Sequence, residues 1–221
     1  QTVNGTSIVD TNGDIRSNAD ITVAAGDGIF GRATPGPAGS LNGVTGTTFI
    51  FGSTAASPQG APMPSVVVPT IASSGAKSVI DTDPVAARTL VPGDYHFTSL
   101  TLGDDAAFTI RGPATVVVDA FTSEDDSSMF VDATAGPVQI YFTGTASFSS
   151  NMDMTSSGAT ARDISLVFSS SNLVTLAANS SLLGTVYAPD AEVRIRRRWE
   201  VFGAVTAQKI ISCVARVEER F

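Results

Sequence analysis

The sequence predicts an all-β fold, a right-handed parallel β-helix (β-solenoid), and three observations predict it. A short pattern recurs along the chain, the same place in each copy holds Asp or Asn, and no convincing amphipathic helix interrupts the series. Eleven-residue windows starting at Leu100, Phe121, Ala146, Val174 and Val193 read LTLGDDAAFTI, FTSEDDSSMFV, ASFSSNMDMTS, VTLAANSSLLG and VRIRRRWEVFG. Each is apolar-x-apolar, a few small or polar residues, then a second short apolar stretch. Their starts differ by 21, 25, 28 and 19 residues, the size of one coil with extra residues placed in loops.

The sixth window position holds Asp105, Asp126, Asn151, Asn179 and Arg198. Asp and Asn tolerate the left-handed backbone of a sharp corner, so a stacked corner once per coil explains four of the five. A further strand follows each window, as in Thr115-Val116-Val117-Val118, Val138-Gln139-Ile140-Tyr141-Phe142 and Ile164-Ser165-Leu166-Val167-Phe168. One coil cannot bury its own apolar side, but stacked coils close a narrow core. The expected columns are Leu102, Phe148, Leu176 and Ile195, and Phe108, Met129, Met154, Leu182 and Val201. A sandwich of hairpins would need Asn-Gly or Asp-Gly turns throughout. Here they occur only near the N-terminus, from Asn4-Gly5 to Asn42-Gly43.

The 221 residues are read as one domain, 1–221. Weaker copies from Ser7, Ile21 and Leu41 make N-terminal coils over 1–51. A Pro-rich excursion over 52–94 crosses the solenoid surface, with Val66-Val67-Val68 a possible edge strand and Asp81 to Arg88 a single helical turn. The main coils occupy 95–221.

Only 15% of residues are charged, and the net charge is −8. The acidity argues against nucleic acid as a partner, because phosphates repel it. No apolar run is long enough for a membrane-spanning helix, so no direct membrane insertion is expected of this segment. The opening Gln1-Thr2-Val3-Asn4 fits a form cut from a longer precursor. The single cysteine, Cys213, lies in an apolar run and reads as a small buried hydrophobe.

The stretches Leu90-Val91-Pro92-Gly93-Asp94-Tyr95-His96-Phe97-Thr98-Ser99-Leu100-Thr101-Leu102, Gly112-Pro113-Ala114-Thr115-Val116-Val117-Val118, and Gly184-Thr185-Val186-Tyr187-Ala188-Pro189-Asp190-Ala191-Glu192-Val193 with Phe202-Gly203-Ala204-Val205-Thr206-Ala207 resemble one family. It is the group of bacterial surface β-helix domains found behind PilX-type, pilin-like N-terminal segments. The resemblance covers about residues 88–211. It implies a cell-surface or extracellular β-helix with no assigned chemistry. The chain departs from that family in lacking the pilin helix and in carrying Arg196-Arg197-Arg198.

No catalytic residue set and no cofactor is expected. There is no Ser-His-Asp set, metal-ligand cluster or phosphate loop. His96, the sole histidine, reads as a strand residue. Asp104, Asp105, Glu124, Asp125 and Asp126 fall on corners and read first as turn formers. Calcium held by Asp104, Asp105, Asp125 and Asp126 is a secondary reading, and paired carboxylates for glycoside cleavage a third. Arg194, Arg196, Arg197 and Arg198, beside Trp199, form the expected interaction patch. If all coils stack in chain order, one corner runs from acidic to basic. The acidic group of one subunit, Asp104 to Asp126, then meets the arginines of the next in a non-closing contact.

The functional expectation is therefore a non-enzymatic extracellular scaffold, filament- or pilus-associated, partnered by copies of itself or by other surface proteins. A carbohydrate- or surface-binding adhesin with a glycan partner is the alternative, and a glycan-active β-helix enzyme the third. An ice-binding reading would need Thr-x-Thr ladders, and along the sequence the outward threonines look scattered.

Overall fold

In the computed structural model, residues 2–3, 6–7, 14–24, 28–29, 31–45, 48–50, 52–60, 63–157, 160–196, 199–212 and 215–218 are described. The apolar-x-apolar windows do form rungs. Each coil turns through three strands, and all strands of the large sheet pair in parallel; among the described residues only the short Thr2–Val3 and Thr6–Ser7 pair antiparallel. The fold is a parallel β-solenoid with three faces.

Face A holds Thr89–Leu90, Ala107–Arg111, Ser128–Asp132, Asp153–Ser157, the starts of Ser181–Ile195 and Trp199–Ser212, then Ala215–Glu218, Gly28–Ile29 and Phe49–Ile50. Face B holds Gly93–Phe97, residues 114–118 and 138–142, Ile164–Phe168, residues 185–187 and 205–207, Ile15–Ser17 and Ala33–Thr34. Face C holds Ala76–Val79, Ser99–Leu102, residues 121–123 and 145–148, Val174–Leu176, residues 192–195 and 209–212, Ile21–Thr22 and Leu41–Asn42.

The core is narrow and dry. The column Phe108, Met129, Met154, Leu182, Val201 stacks in register along face A. On face C, Leu102, Ser123, Phe148, Leu176 and Ile195 do the same. The four corner residues Asp105, Asp126, Asn151 and Asn179 share φ of 56–58°. Their amides bond from rung to rung, Asp126 N–H to Ser150 O at 3.3 Å and Asn151 N–H to Ala178 O at 3.0 Å. These corners line one edge between faces C and A. The left-handed backbone penalises a Cβ that no local hydrogen bond compensates. Asn151→Ala should therefore lower unfolding stability by about 1 kcal/mol, while Asn151→Gly should be neutral within a few tenths. Denaturant unfolding of the two variants checks this.

The coils do not all stack in chain order. Rungs from residue 76 to residue 218 succeed one another, but the next neighbour of 205–211 is the N-terminal segment. Val205 pairs with Ile15, Ile210 with Ile21, and Val217 with Ile29. Residues 33–50 add one more rung beyond that. The repeat pattern says that a segment is a coil; it does not say which coil it sits on.

Having closed one end, the chain returns to the other along face B. Ser57 N–H bonds Pro35 O, Tyr187 Oη bonds Pro64 O at 2.7 Å, and Ser74 N–H bonds His96 O at 2.6 Å. Tyr187, Val167, Tyr141, Val117 and His96 form one outward column under this strap. Val117 is consequently 2% exposed although it points away from the core. Residues 66–68 form no strand: Val66 and Val68 are half-buried and Val67 faces solvent. The expected turn near residue 84 is a single one, with Arg88 N–H bonded to Pro84 O. Cys213 lies outside the described residues.

Candidate functional site

Strand alternation sends every second side chain outward, so each face presents columns of residues one rung apart. On face C the register aligns Ser78, Thr101, Thr122, Ser147 and Thr175 in one outward column. The parallel column two residues earlier holds Ala76, Ser99, Ala120 and Thr145, continued by Leu173. Rungs lie about 4.8 Å apart and alternate residues along a strand about 6.6 Å apart. These five rungs thus carry a regular grid of hydroxyls and methyls with no charge on it. The ladder hydroxyls have no hydrogen-bond partner among the described residues, and their backbones are fixed by the sheet.

The other faces differ. Face A carries Arg111, Asp132 and Asp153 at its surface. At the corner between faces A and B the turn Ala161–Asp163 leads into Ile164–Phe168, and a Cβ at Gly203 would meet the buried Ala161 there. On that turn, Thr160 N–H and Oγ1 both donate to Asp163, holding its carboxyl below the usual range. Face B lies under the strap. Face C carries its uncharged outward columns over five rungs.

The grid ends where face C becomes charged. Arg194 Nε donates to Glu192 Oε1 at 2.5 Å, and Lys209 Nζ donates to Glu192 Oε2 at 3.0 Å. The bond from Lys209 is the largest cause holding Glu192 below the usual carboxylate range. Of the expected arginine patch, Arg194 is thus engaged on its own rung and Arg196 is exposed. Arg197, Arg198 and the Trp199 side chain lie outside the described residues.

The acidic group sits on the stacked edge between faces C and A. Asp104 N–H donates to Glu124 Oε2 at 3.1 Å. Burial, then Asp105, Asp126, Glu124 and Asp125, push the Asp104 carboxyl up. Asp104, Asp105, Asp125 and Asp126 spread along that edge, and among the described residues no three His, Cys, Asp or Glu converge to hold a metal. Neither the acidic group nor Arg194 lies at an end of the solenoid. The rung of residues 76–90 lies beyond the acids, and residues 209–218, 15–29 and 33–50 lie beyond Arg194. The end-to-end contact expected from chain-order stacking therefore has no end surfaces to join.

The ladder was the residue set the sequence reading missed. Its signal stood in the windows: their second position reads Thr101, Thr122, Ser147, Thr175 and Arg194. The threonines look scattered in sequence because 21 to 28 residues separate successive copies.

The family model described as "Domain of unknown function (DUF7305)" matches residues 51–212. The chain belongs to this family. The DUF7305 match takes in the strap and the rungs that carry the face C grid. No curated protein matches. Among solved structures, a crystal structure of an ice-binding protein from the Antarctic ascomycete Antarctomyces psychrotrophicus is 14% identical, with 96% of each chain covered and a TM-score of 0.50. Ice-binding protein 1 of Shewanella frigidimarina, its DUF3494 domain, is also 14% identical, covering 96% of this chain and 95% of its own, with a TM-score of 0.52. At this identity the likeness shows the fold, a parallel β-solenoid along nearly the whole chain. Nothing in the comparisons links this DUF7305 chain to PilX-type segments. They also overturn the expected filament- or pilus-associated scaffold, with its adhesin and glycan-active alternatives: two solved proteins that share this solenoid are ice-binding proteins.

Proposed function

We propose that face C of this DUF7305 solenoid is an ice-contacting face. The observation supporting it is the uncharged grid of Ser78, Thr101, Thr122, Ser147 and Thr175 with Ala76, Ser99, Ala120 and Thr145 on a continuous parallel sheet. Its two spacings are close to oxygen repeats on the surfaces of hexagonal ice. Hydroxyls alternating with methyls hold surface water in that pattern, and β-branched side chains add little rotamer freedom to lose on contact. Rigid preorganisation matters because each residue contributes little, so the whole face must engage at once. Two structurally similar proteins are ice-binding proteins, which agrees with this reading. This reading places the protein outside the cell and asks no chemistry of it.

The purified protein should partition into a slowly growing ice front and suppress recrystallisation. Thr122→Tyr, which raises a ring above the grid, should remove most of that activity while leaving the unfolding midpoint within the range of ordinary surface substitutions. Thr155→Tyr, on exposed face A, should leave the activity intact. Exclusion of the unaltered protein from ice, or full activity in Thr122→Tyr, refutes the proposal.

A further inference from the structure

The strap over face B is held near Ile71 by His96, as it is near Pro64 by the Tyr187 hydroxyl. His96 Nε2 lies 3.0 and 3.1 Å from the two carboxylate oxygens of Asp119, and His96 Nδ1 lies 3.1 Å from the carbonyl oxygen of Ile71 on the strap. Both partners are acceptors only. A neutral imidazole has one N–H and one lone pair, so it can satisfy one of them and must turn its lone pair toward the other. Only the imidazolium donates to both. Thr143 Oγ1 donates to Asp119 Oδ1 at 2.7 Å, fixing the carboxylate in place. The His96 side chain is 23% exposed, so protons reach it without unfolding.

Few other ionisable groups face this site. Residues 52–75 of the strap contain none. On the strands beneath, Asp119 makes the contact; Asp94, two residues before His96, is exposed, and Tyr141 lies two rungs away in the same column. The backbone bonds Ser74 N–H to His96 O and Thr98 N–H to Gly75 O hold the strap's far end whatever the charge.

We propose that protonated His96 is a pH-operated latch that holds the segment around Ile71 down on face B, and that deprotonation frees this segment. The bond to the Asp119 side chain is the main cause raising the His96 pKa above 6.5, with the Ile71 carbonyl adding to it and burial opposing both. Asp119 is held low by Thr143 first, although burial opposes this, and by His96. The sign follows. A raised histidine pKa contributes stability that is fully present below about 6.5 and is lost as pH rises through the folded value. When the imidazole loses its proton, the Asp119 bond persists as the stronger, charge-assisted one. The Nδ1 lone pair then faces the Ile71 carbonyl, and the strap contact is the one that breaks. Release uncovers Val117, the apolar residue that face B otherwise hides.

His96 is the only histidine, which makes the test clean. Amide exchange of residues 63–73, corrected for its intrinsic pH dependence, should be flat below about pH 6.5 and accelerate as pH rises through the elevated pKa of His96. Each unit of pKa elevation is worth about tenfold in the closed-to-open ratio. His96→Gln, which donates through one amide only, should remove that pH dependence. Imidazole NMR should show the same midpoint as the exchange data. Strap protection that is flat with pH in the unaltered protein, or equally pH-dependent in His96→Gln, overturns the latch. Ice partitioning plays no part in these readouts, so they stand or fall separately from the role of face C.

Discussion

Phe142→Ala should be the most damaging single truncation in this protein, lowering unfolding stability by about 3–5 kcal/mol. Phe142 is fully buried where faces B and C meet. It stacks on Phe168 of the next rung at 4.8 Å between centroids, with 17° between planes. It also meets Phe121 edge-on at 5.5 Å and Phe148 at 5.7 Å. A solenoid core is one or two side chains thick, so no second layer can collapse into the space left. The neighbouring rings are tied to rungs spaced by the sheet and cannot close the gap. The loss is a large share of the 5–15 kcal/mol typical of a domain. Denaturant unfolding should show the midpoint falling. A double-mutant cycle with Phe168→Ala should return a coupling of about 0.5–1.5 kcal/mol for the stacked pair. A loss below about 1 kcal/mol would mean that the four rings do not share one core.

The corner residues made the fold legible in the sequence. Asp105, Asp126, Asn151 and Asn179 are fixed by a backbone requirement that few residue types meet, so their identity survives when the strands around them vary. The two predicted core columns have the same origin, since inward positions are apolar almost throughout, Ser123 being an exception. The place of the N-terminal coils was not legible. Nothing near Ile15 or Ile21 marks their partners, Val205 and Ile210, because parallel pairing depends only on matching alternation and any rung offers that. Nor did the proline-rich segment announce its course. Its main-chain bonds fall at scattered points, and the face it covers is told by Tyr187 and His96, far off in sequence. The face C ladder lay between these cases. Outward residues are free to vary, so the run of hydroxyls at the second window position is informative, but only once the rungs are known to align. Arg194 breaks that run, and its ion pairs with Glu192 and Lys209's with the same carboxylate show where the uncharged grid stops.

Ile21→Asp should uncap the solenoid. Ile21 is fully buried, paired on one side with Ile210 and on the other with Leu41. The change removes a buried aliphatic side chain, about 2–5 kcal/mol, and sets a carboxylate in a dry stack where no cation stands opposite among the described residues. Ionised, it adds several kcal/mol more. The N-terminal coils are joined covalently to the rest through the strap and otherwise held by their pairing with 205–211 and 216–217, so once that pairing fails they can lift away while the other rungs keep their neighbours. Residues 203–212 then become an open parallel edge, which invites pairing with other molecules. The expected result is loss of amide protection over 203–212, retained protection over the rungs of residues 93–132, and concentration-dependent aggregation in light scattering. Had every coil stacked in chain order, Ile21 would sit at the far end of the molecule from these strands. Unchanged protection over 203–212 in this variant would return the fold to that simpler winding.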